Sequence, residues 1–291
     1  MYPPSFEYHV ATSFADATQL LVDLEGAKLL AGGCSLIPLM KFRLAQPPHL
    51  VDLNRIPGAR YVIEDDGVLR IGALTRESEV ERSAVVLRRY PILAEVSAVI
   101  ADPLVRNMGT IGGNLAHGDP ANDHPAAMLA LGAELLVQGR EGMRTIPCAA
   151  FFLDLFETAL QPDEVVVEIR IPAPAAGSGA AYVKFERQVG DFAIAGAAVN
   201  LRLADGRIRD AAISLTNAGP VPSRMAAAED ALNGSTGDPG TLEAAARLAA
   251  AGCEPWTDLR GSVTVKRQLA GVAVKRAVTA ALARARGGPH A

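Results

Sequence analysis

Apolar and polar residues along the first half of the chain follow two different periods. Helical spacing, with apolar residues three and four apart, covers residues 15–24, 77–90, 92–100 and 126–131, and Ser13 is a candidate cap for the first of these helices. Short apolar or alternating runs predict strands at residues 27–31, 50–53, 69–74, 134–137 and 164–171. The mixture predicts an α+β protein.

Regular periodicity stops between residues 102 and 125. This segment holds four Gly and three Pro, which is the composition of a loop. Connections in compact domains usually have about 4–6 residues, and much longer ones are usually functional. We therefore predict a functional loop here.

The second half of the chain begins after a segment rich in Pro, Gly and Ala at residues 172–180, which we interpret as a linker. Strands are predicted at 181–187, 193–203 and 208–217, with a turn at Gly190-Asp191. Helices are predicted at 226–232, 241–251 and 265–284. With 291 residues, two domains are expected, and we place them at 1–175 and 176–291.

Composition and charge exclude several classes of protein. The chain has 28 basic and 32 acidic residues, so it lacks the basic excess of a nucleic-acid binder. No apolar run is long enough for a transmembrane segment, and no secretory signal is recognisable. The three cysteines are far apart, which is typical of a reducing cytoplasm and gives no iron–sulfur or zinc motif.

The C-terminal stretch, residues 259–291, differs from the rest in charge. It contains no acid and seven basic residues: Arg260, Lys266, Arg267, Lys275, Arg276, Arg284 and Arg286. A solvated helix face and a docking surface for an acidic partner both remain open.

Two glycine-containing segments are the strongest candidates for chemistry. Ala31-Gly32-Gly33-Cys34-Ser35-Leu36 follows an apolar strand, and Gly109-Thr110-Ile111-Gly112-Gly113-Asn114 lies in the irregular segment. Glycine lets the backbone approach a ligand closely, and successive amides form a nest for anions. Two such segments suit the two phosphates of a dinucleotide.

Other kinds of site fit the sequence less well. Neither the G-x-G-x-x-G pattern nor a P-loop is present. His117, Asp119, Asp123 and His124 could ligate a metal, but their spacing matches no zinc motif, so no metal is expected. Ser35 lacks the G-x-S-x-G context of a hydrolase, and no local base would activate Cys34.

Three stretches carry a resemblance to a known family. LLAGGCSLIPLMKFRLAQPPHLVDLNRI, IGALTRESEVE and VRNMGTIGGNLAHGDPANDHPA resemble the FAD-binding medium subunit of the molybdenum hydroxylases, the family of aerobic carbon monoxide dehydrogenase and xanthine dehydrogenase. YVKFERQVGDFAIAGAAVNL resembles the start of that family's C-terminal domain, so the resemblance covers nearly the whole chain.

The resemblance implies a fold. We expect a two-subdomain FAD-binding domain of the vanillyl-alcohol-oxidase/p-cresol-methylhydroxylase type, with subdomains at about 1–55 and 56–175. A smaller α/β domain with a three-stranded antiparallel sheet and helices should follow. The cysteine-rich insert of those medium subunits that carry their own iron–sulfur cluster is absent.

The resemblance also implies FAD as the cofactor and names the residues that contact it. These are Lys28, Leu29, Leu30, Ala31, Gly32, Gly33, Cys34, Ser35, Leu36, Ile100, Val105, Gly109, Thr110, Ile111, Gly112, Gly113, Asn114, His117, Asp123, Val166 and Lys184.

Several of these residues have an implied role. Residues 28–31 would lie along the cofactor, residues 32–36 around the pyrophosphate, and residues 110–114 on a second phosphate side. Asp123 would accept hydrogen bonds from the adenosine ribose, and Lys184 would face the pyrimidine end of the flavin. Val166 and Ile100 would contact the ring, although both also fit a plain core.

Cys34 departs from the family pattern, which often has His, Asn or Gln there. The backbone amide would still donate to the phosphate, while a side-chain hydrogen bond is lost.

The substitutions Gly33→Asp and Gly112→Asp are each expected to abolish FAD retention, because each places a carboxylate against the pyrophosphate.

The implied function is electron transfer, with no catalytic residue in this chain. A molybdenum-cofactor large subunit and a [2Fe-2S] small subunit are the expected partners, in a dimer of heterotrimers, with NAD or a quinone as external acceptor. A self-contained FAD oxidase or reductase and a non-enzymatic nucleotide-binding module are the alternatives.

Overall fold

The computed structural model describes residues 2–287 and begins with a small parallel sheet. Its strands are β1 (Glu7–Val10), β2 (Lys28–Leu30) and β3 (His49–Asp52), in the order β1-β3-β2. Helix α1 (Phe14–Asp23) packs on it, and Ser13 Oγ accepts the Asp16 amide at 3.0 Å, which confirms the predicted cap. A short helix α2 (Leu36–Lys41) follows the first glycine segment.

The second sheet has five antiparallel strands in the order β4-β5-β10-β6-β7. They are β4 (Val62–Asp65), β5 (Val68–Gly72), β6 (Glu134–Gly139), β7 (Gly142–Pro147) and β10 (Val165–Pro172). A two-stranded ribbon, β8 (Phe152–Asp154) and β9 (Glu157–Thr158), lies between β7 and β10 in the chain. The sequence pattern missed β1, β4, β7, β8 and β9.

Six short helices accompany this sheet. They are α3 (Glu77–Arg82), α4 (Ala84–Arg89), α5 (Pro91–Ala98), α6 (Pro103–Met108), α7 (Ile111–Ala116) and α8 (His124–Ala130). The single helix predicted over residues 77–90 is therefore wrong, because the chain turns at Ser83, whose backbone is extended (φ −64°, ψ 124°).

The long loop predicted over residues 102–125 is also wrong. Asp102 accepts the amides of Leu104 and Val105 and starts α6, with Pro103 at its first position. Thr110 accepts the Gly113 amide and starts α7. Pro and Gly favour a loop by composition, but Pro is also favoured in the first turn of a helix, and the caps stabilise these short helices.

The third sheet is antiparallel and contains four strands, so the predicted three-stranded sheet is corrected. The strands are β11 (Ser178–Phe185), β12 (Ala195–Ala204), β13 (Arg207–Thr216) and β14 (Ser223–Arg224). β14 has two residues, too few to show a period-2 pattern. Helices α9 (Ala226–Leu232), α10 (Pro239–Gly252) and α11 (Val263–Ala285) complete this half, close to the bounds predicted from sequence.

The segment interpreted as a linker is partly a strand. β11 begins at Ser178, and a Cβ on Gly179 would lie 2.6 Å from the amide nitrogen of Ala285 in α11. The small residue there permits close packing of strand and helix, which composition alone cannot distinguish from a flexible connection.

The largest hydrophobic cluster crosses between the two halves of the chain. It combines the five-stranded sheet and helices α5, α7 and α8 with Tyr182, Ala198 and Ala212 of the third sheet. The third sheet and helices α9, α10 and α11 form a second cluster, and the parallel sheet with α1 a third. Within residues 2–287, no helix has the length and apolar character needed to cross a membrane.

Candidate functional site

The two glycine segments predicted from sequence are in backbone contact. We define the first glycine segment as residues 31–36 and the second as residues 109–114. A Cβ on Gly32 would collide with the Met108 carbonyl oxygen and lie 2.7 Å from Gly109 Cα. Only glycine at position 32 leaves room for this approach. The fold therefore builds one site from two segments that are distant in sequence.

A buried arginine and an asparagine hold the two segments together. The Arg76 guanidinium donates to the Met108 carbonyl, which precedes the second segment, and to Asn54 Oδ1 at 2.5 Å. Asn54 Nδ2 in turn donates to the Ala31 carbonyl of the first segment at 2.8 Å. Arg76 is 8% exposed, and burial lowers its pKa. Sequence reasoning assigned no role to either residue, although both lie in the stretches that carry the resemblance.

The first glycine segment offers unpaired amides. Within residues 2–287, the backbone N–H groups of residues 33–36 have no protein acceptor. Gly33 has φ +74°, a left-handed conformation that glycine adopts readily, and Ser35 is exposed and makes no side-chain cap. Adjacent unpaired amides form an anion-binding nest. β2, which leads into the segment, is an edge strand, so its outer edge is open as well.

In the second glycine segment, the amides of residues 111–114 donate to protein acceptors. Ile111 N donates to Thr75 O at 3.1 Å, Gly112 N to Ala73 O at 3.0 Å, and the next two amides to Thr110. A Cβ on Gly112 would lie 2.6 Å from Ala73 Cβ. An Asp side chain at position 112 would therefore enter the protein interior beside Ala73, so the predicted contact of its carboxylate with the pyrophosphate is wrong.

Asn114 is the side chain of the second segment that lacks a partner. Its Oδ1 atom is buried and accepts no hydrogen bond within residues 2–287, while its main-chain carbonyl accepts Asn122 Nδ2 at 2.9 Å. A buried acceptor without a donor costs about 1–3 kcal/mol. A bound ligand with a hydroxyl or amide donor would satisfy this atom.

A buried acid–base cluster lies beneath the second segment. His124 Nε2 and Glu77 Oε2 are 2.6 Å apart, and Ser97 Oγ is 3.4 Å from the same carboxylate oxygen. All three residues are buried, with Glu77 at 2% exposure and His124 and Ser97 at 0%. The Glu77 amide donates to the Gly109 carbonyl at 3.1 Å. The cluster thus anchors the segment from within the core.

Asp123 and Lys184, predicted at opposite ends of FAD, form an ion pair with each other. Lys184 Nζ lies 3.0 Å from Asp123 Oδ2, and the Tyr182 hydroxyl donates to Asp123 Oδ1 at 2.6 Å. Burial raises the pKa of Asp123, against the opposing effects of Lys184 and Tyr182. The fold thus brings together two residues that were predicted at opposite ends of the cofactor, and each side chain has a protein partner.

The remaining predicted contact residues lie in different environments. Val166 is 5% exposed and belongs to the largest hydrophobic cluster, and Ile100 packs against that cluster. The Val105 carbonyl accepts the Gly109 amide at 2.6 Å, so α6 borders the junction of the two segments. His117 packs beside Phe156 with ring centroids 5.2 Å apart, and burial lowers its pKa. Lys28 is exposed on the edge strand.

Cys34 is half-buried, and its thiol points to backbone carbonyls. Sγ lies 3.6 Å from Gly32 O and 3.7 Å from Val105 O. Burial raises the pKa of the thiol, and the Arg76 charge offsets that rise only in part. A neutral thiol is a poor nucleophile, so a structural role for Cys34 is favoured over a catalytic one.

The four residues weighed as metal ligands point to different partners. Asp119 Oδ1 accepts the Ala121 amide at 2.9 Å, while His117, Asp123 and His124 make the contacts described above.

The basic residues of the C-terminal stretch do not form one surface. Lys266 is fully buried, 2.7 Å from Asp258, and Arg284 pairs with Glu95. The docking interpretation therefore cannot include Lys266 or Arg284.

The residues present fit a phosphate-containing dinucleotide. The four amides of residues 33–36, which have no acceptor within residues 2–287, could donate to a pyrophosphate, and the buried Asn114 Oδ1 could accept a hydrogen bond from the ligand. Gly32 allows the two segments to approach each other, and Gly33 adopts the left-handed backbone of the first one. These features are independent of one another and lie on the two segments that the fold joins.

Comparison with known families covers both halves of the chain. The profile described as the FAD binding domain in molybdopterin dehydrogenase matches residues 4–174. The profile described as the CO dehydrogenase flavoprotein C-terminal domain matches residues 180–281.

Individual proteins are similar along their whole length. The carbon monoxide dehydrogenase medium chain of Hydrogenophaga pseudoflava is 48% identical over 285 residues, which cover 98% of this chain and 99% of that protein. The nicotine 6-hydroxylase medium subunit of Paenarthrobacter nicotinovorans is 37% identical, covering 97% and 99%.

Solved structures of the same family have the same fold as this chain. A carbon monoxide dehydrogenase structure from Hydrogenophaga pseudoflava has a TM-score of 0.95 at 50% identity, covering 98% of this chain and 99% of that one. Quinoline 2-oxidoreductase from Pseudomonas putida 86 gives 0.93 at 34%, covering 99% of both.

Proposed function

The chain belongs to the family of FAD-binding medium subunits of the molybdenum hydroxylases, and from that premise we propose that it transfers electrons from an iron–sulfur subunit to an external acceptor. It is an oxidoreductase subunit, and FAD is its cofactor. The observation that carries the proposal is the joined pair of glycine segments, with amides 33–36 left open for a pyrophosphate.

We assign the pyrophosphate to the first glycine segment. The amides of residues 33–36 and the Ser35 hydroxyl would donate to phosphate oxygens, and Asn114 Oδ1 would accept from a hydroxyl of the cofactor. The open edge of β2 would lie along the same molecule. When bound, FAD accepts electrons one at a time or in pairs, which suits a relay between single-electron and two-electron carriers.

This chain's own acid and base groups support a role without substrate chemistry. The Glu77–His124 pair beside the glycine segments is enclosed in the core, and the Cys34 thiol is held neutral. Neither group meets the requirement that a catalytic acid, base or nucleophile reach a substrate. Oxidation of the substrate then belongs to a partner, which we propose to be a molybdenum-cofactor large subunit.

The proposed assembly contains a large molybdenum subunit, a [2Fe-2S] small subunit and this chain, as a dimer of heterotrimers. Support comes from the word medium in the names of the relatives, which places each of them among larger and smaller chains. NAD and a quinone are the proposed acceptors. The cytoplasm is the proposed location, consistent with three free cysteines.

We also propose a fold type for the FAD-binding part and a position for the domain boundary. The FAD-binding part is of the vanillyl-alcohol-oxidase/p-cresol-methylhydroxylase type, with subdomains at about 1–55 and 56–175, which agrees with the separate three-stranded and five-stranded sheets. The domain boundary lies near residue 175, in the short connection between β10 and β11.

The experiment that tests the electron-transfer role uses the purified chain and its native complex. Affinity capture from the source organism should recover one chain that contains molybdenum and one that contains a [2Fe-2S] cluster. The isolated, FAD-loaded chain should not oxidise carbon monoxide, aldehydes or N-heterocycles, yet its flavin should be reduced when the reduced iron–sulfur subunit is added. Substrate turnover by the isolated chain would support a self-contained oxidase instead.

A further inference from the structure

Two histidines and a glutamate meet on one face of the parallel sheet, away from the glycine segments. β1 and β3 are parallel neighbours, and Glu7 lies directly opposite His49. His9 is two residues beyond Glu7 and therefore projects from the same face of β1. Further along these strands Ala11 and Val51 are fully buried, so the histidines stand at the margin of the core.

Two of the three distances between the ligand atoms of this trio match the edge of a tetrahedral metal site, and the third is slightly longer. His9 Nε2 is 3.3 Å from His49 Nδ1, and Glu7 Oε2 is 3.4 Å from His49 Nδ1 and 3.8 Å from His9 Nε2. With Zn–N bonds of about 2.0–2.1 Å, the edge of a tetrahedron is about 3.3–3.4 Å. An octahedral ion with similar bonds would need edges of about 2.9 Å.

The types of ligand also select the metal. Two imidazoles and one carboxylate suit zinc and its transition-metal neighbours, whereas Mg²⁺ and Ca²⁺ prefer oxygen ligands. Within residues 2–287, the ring nitrogens that face each other have no polar partner beyond this trio. The side chains of His9 and His49 are 26% and 21% exposed, so water can reach the site and complete the coordination.

We propose that Glu7, His9 and His49 bind one zinc ion, with water as the fourth ligand. The site links β1, at one edge of the sheet, to β3 at its centre. β2, on the other side of β3, leads into the first glycine segment, so the metal stabilises the sheet that supports the cofactor site. Since the ion binds the folded chain, it raises thermal stability. Zn²⁺ has no redox chemistry, so it takes no part in electron transfer.

The test uses the full-length, tag-free chain, stripped of metal with a chelator and then titrated with Zn²⁺ or Co²⁺. One ion per chain is expected, with the intense visible absorption of tetrahedral Co²⁺, and Zn²⁺ but not Mg²⁺ should raise the unfolding temperature. No stoichiometric binding, or a weak octahedral Co²⁺ spectrum, overturns the proposal.

Variants assign the ligands. His9→Ala and His49→Ala should each weaken zinc binding by about tenfold or more, since loss of a direct ligand costs at least as much as loss of an outer-shell partner. Glu141→Gln removes an exposed glutamate in the turn after β6 and should leave zinc affinity unchanged. FAD content and metal-free unfolding temperature report whether each variant folds. Folded histidine variants that bind zinc like the parent chain contradict the assignment.

Discussion

The two glycine segments have similar sequences and opposite roles. In the first, amides 33–36 have no protein acceptor within residues 2–287, and glycine leaves the backbone open to a ligand. In the second, amides 111–114 are all used by the protein, and Gly112 packs against Ala73. A glycine motif can thus either expose amides to a ligand or allow close packing of the backbone, and hydrogen-bond partners distinguish the two.

Because of this difference, we expect the two segments to contribute to cofactor binding in different ways. In the proposed site, the first segment would present donors to the pyrophosphate, while the second supports the first through the contact of Gly109 with Gly32. In the same proposal, the second segment would contact the cofactor through its Asn114 side chain. Substitutions in the two segments should therefore fail in different ways, and the following predictions use that distinction in order of decreasing effect.

The largest effect is expected for a charge in the first segment. Gly33→Asp and Gly33→Asn introduce side chains of equal size, and both residues tolerate the left-handed backbone better than most. The carboxylate should weaken FAD binding relative to the amide by about 2–4 kcal/mol, or roughly 30- to 1000-fold, through repulsion of the pyrophosphate. Flavin fluorescence titration measures both constants. Equal affinities would place the phosphates elsewhere.

A methyl group in the second segment should affect folding instead. Gly112→Ala places a Cβ 2.7 Å from Ala73 O, and such overpacking costs about 1–3 kcal/mol of unfolding free energy. Urea denaturation of the FAD-free chain measures the loss. Gly219→Ala, where the nearest atom is 3.8 Å away, is the control and should change stability little. An unchanged unfolding free energy in Gly112→Ala would contradict the packing role.

Replacing Asn114 should affect the stability of the chain and its affinity for FAD in opposite directions. Asn114→Leu removes a buried acceptor that lacks a donor, so the FAD-free chain should be as stable as the parent chain or more stable. The same change should weaken FAD binding by about tenfold, because the cofactor loses one hydrogen-bond partner. If affinity is unaffected, the second segment has only a structural role.

Ser35 tests the first segment without altering its backbone. Its hydroxyl is exposed and caps nothing, so Ser35→Ala should leave the unfolding temperature unchanged. Loss of one hydrogen bond to a phosphate oxygen should weaken FAD binding by about 1 kcal/mol, or about fivefold. Ser5→Ala, another exposed serine, is the matched control. A fall in stability without a change in affinity would argue against phosphate contact.

The smallest effect concerns the Cys34 thiol. Burial raises its pKa above the ordinary 9.0, so less thiolate is present at pH 8 than in a free cysteine. Alkylation of Cys34 by iodoacetamide, followed by peptide mass spectrometry, should be slower than that of a model thiol and accelerate as pH rises beyond 9. Rapid alkylation at pH 7 would indicate an activated thiolate.

Sequence patterns predicted the longer elements and failed where the elements were short. The Ser13 cap was confirmed, and the last helix was predicted within two residues of its bounds, because a 23-residue helix shows many turns of its period. α6, α7 and β14 have two to six residues and little room for any period. The N-cap residues Asp102 and Thr110 were the features of the sequence that could have predicted the starts of α6 and α7.

By itself, the sequence determined the family, the cofactor and the two segments where glycine is needed, because motifs and periodicity are local properties of a chain. The tertiary structure alone decided which segment keeps its amides free, that Arg76 and Asn54 join the two segments, and that Asp123 and Lys184 form an ion pair. The physical reason is the same in each case. A hydrogen bond or ion pair exists only when both partners are in place, and here the partners lie 22 to 61 residues apart in the sequence.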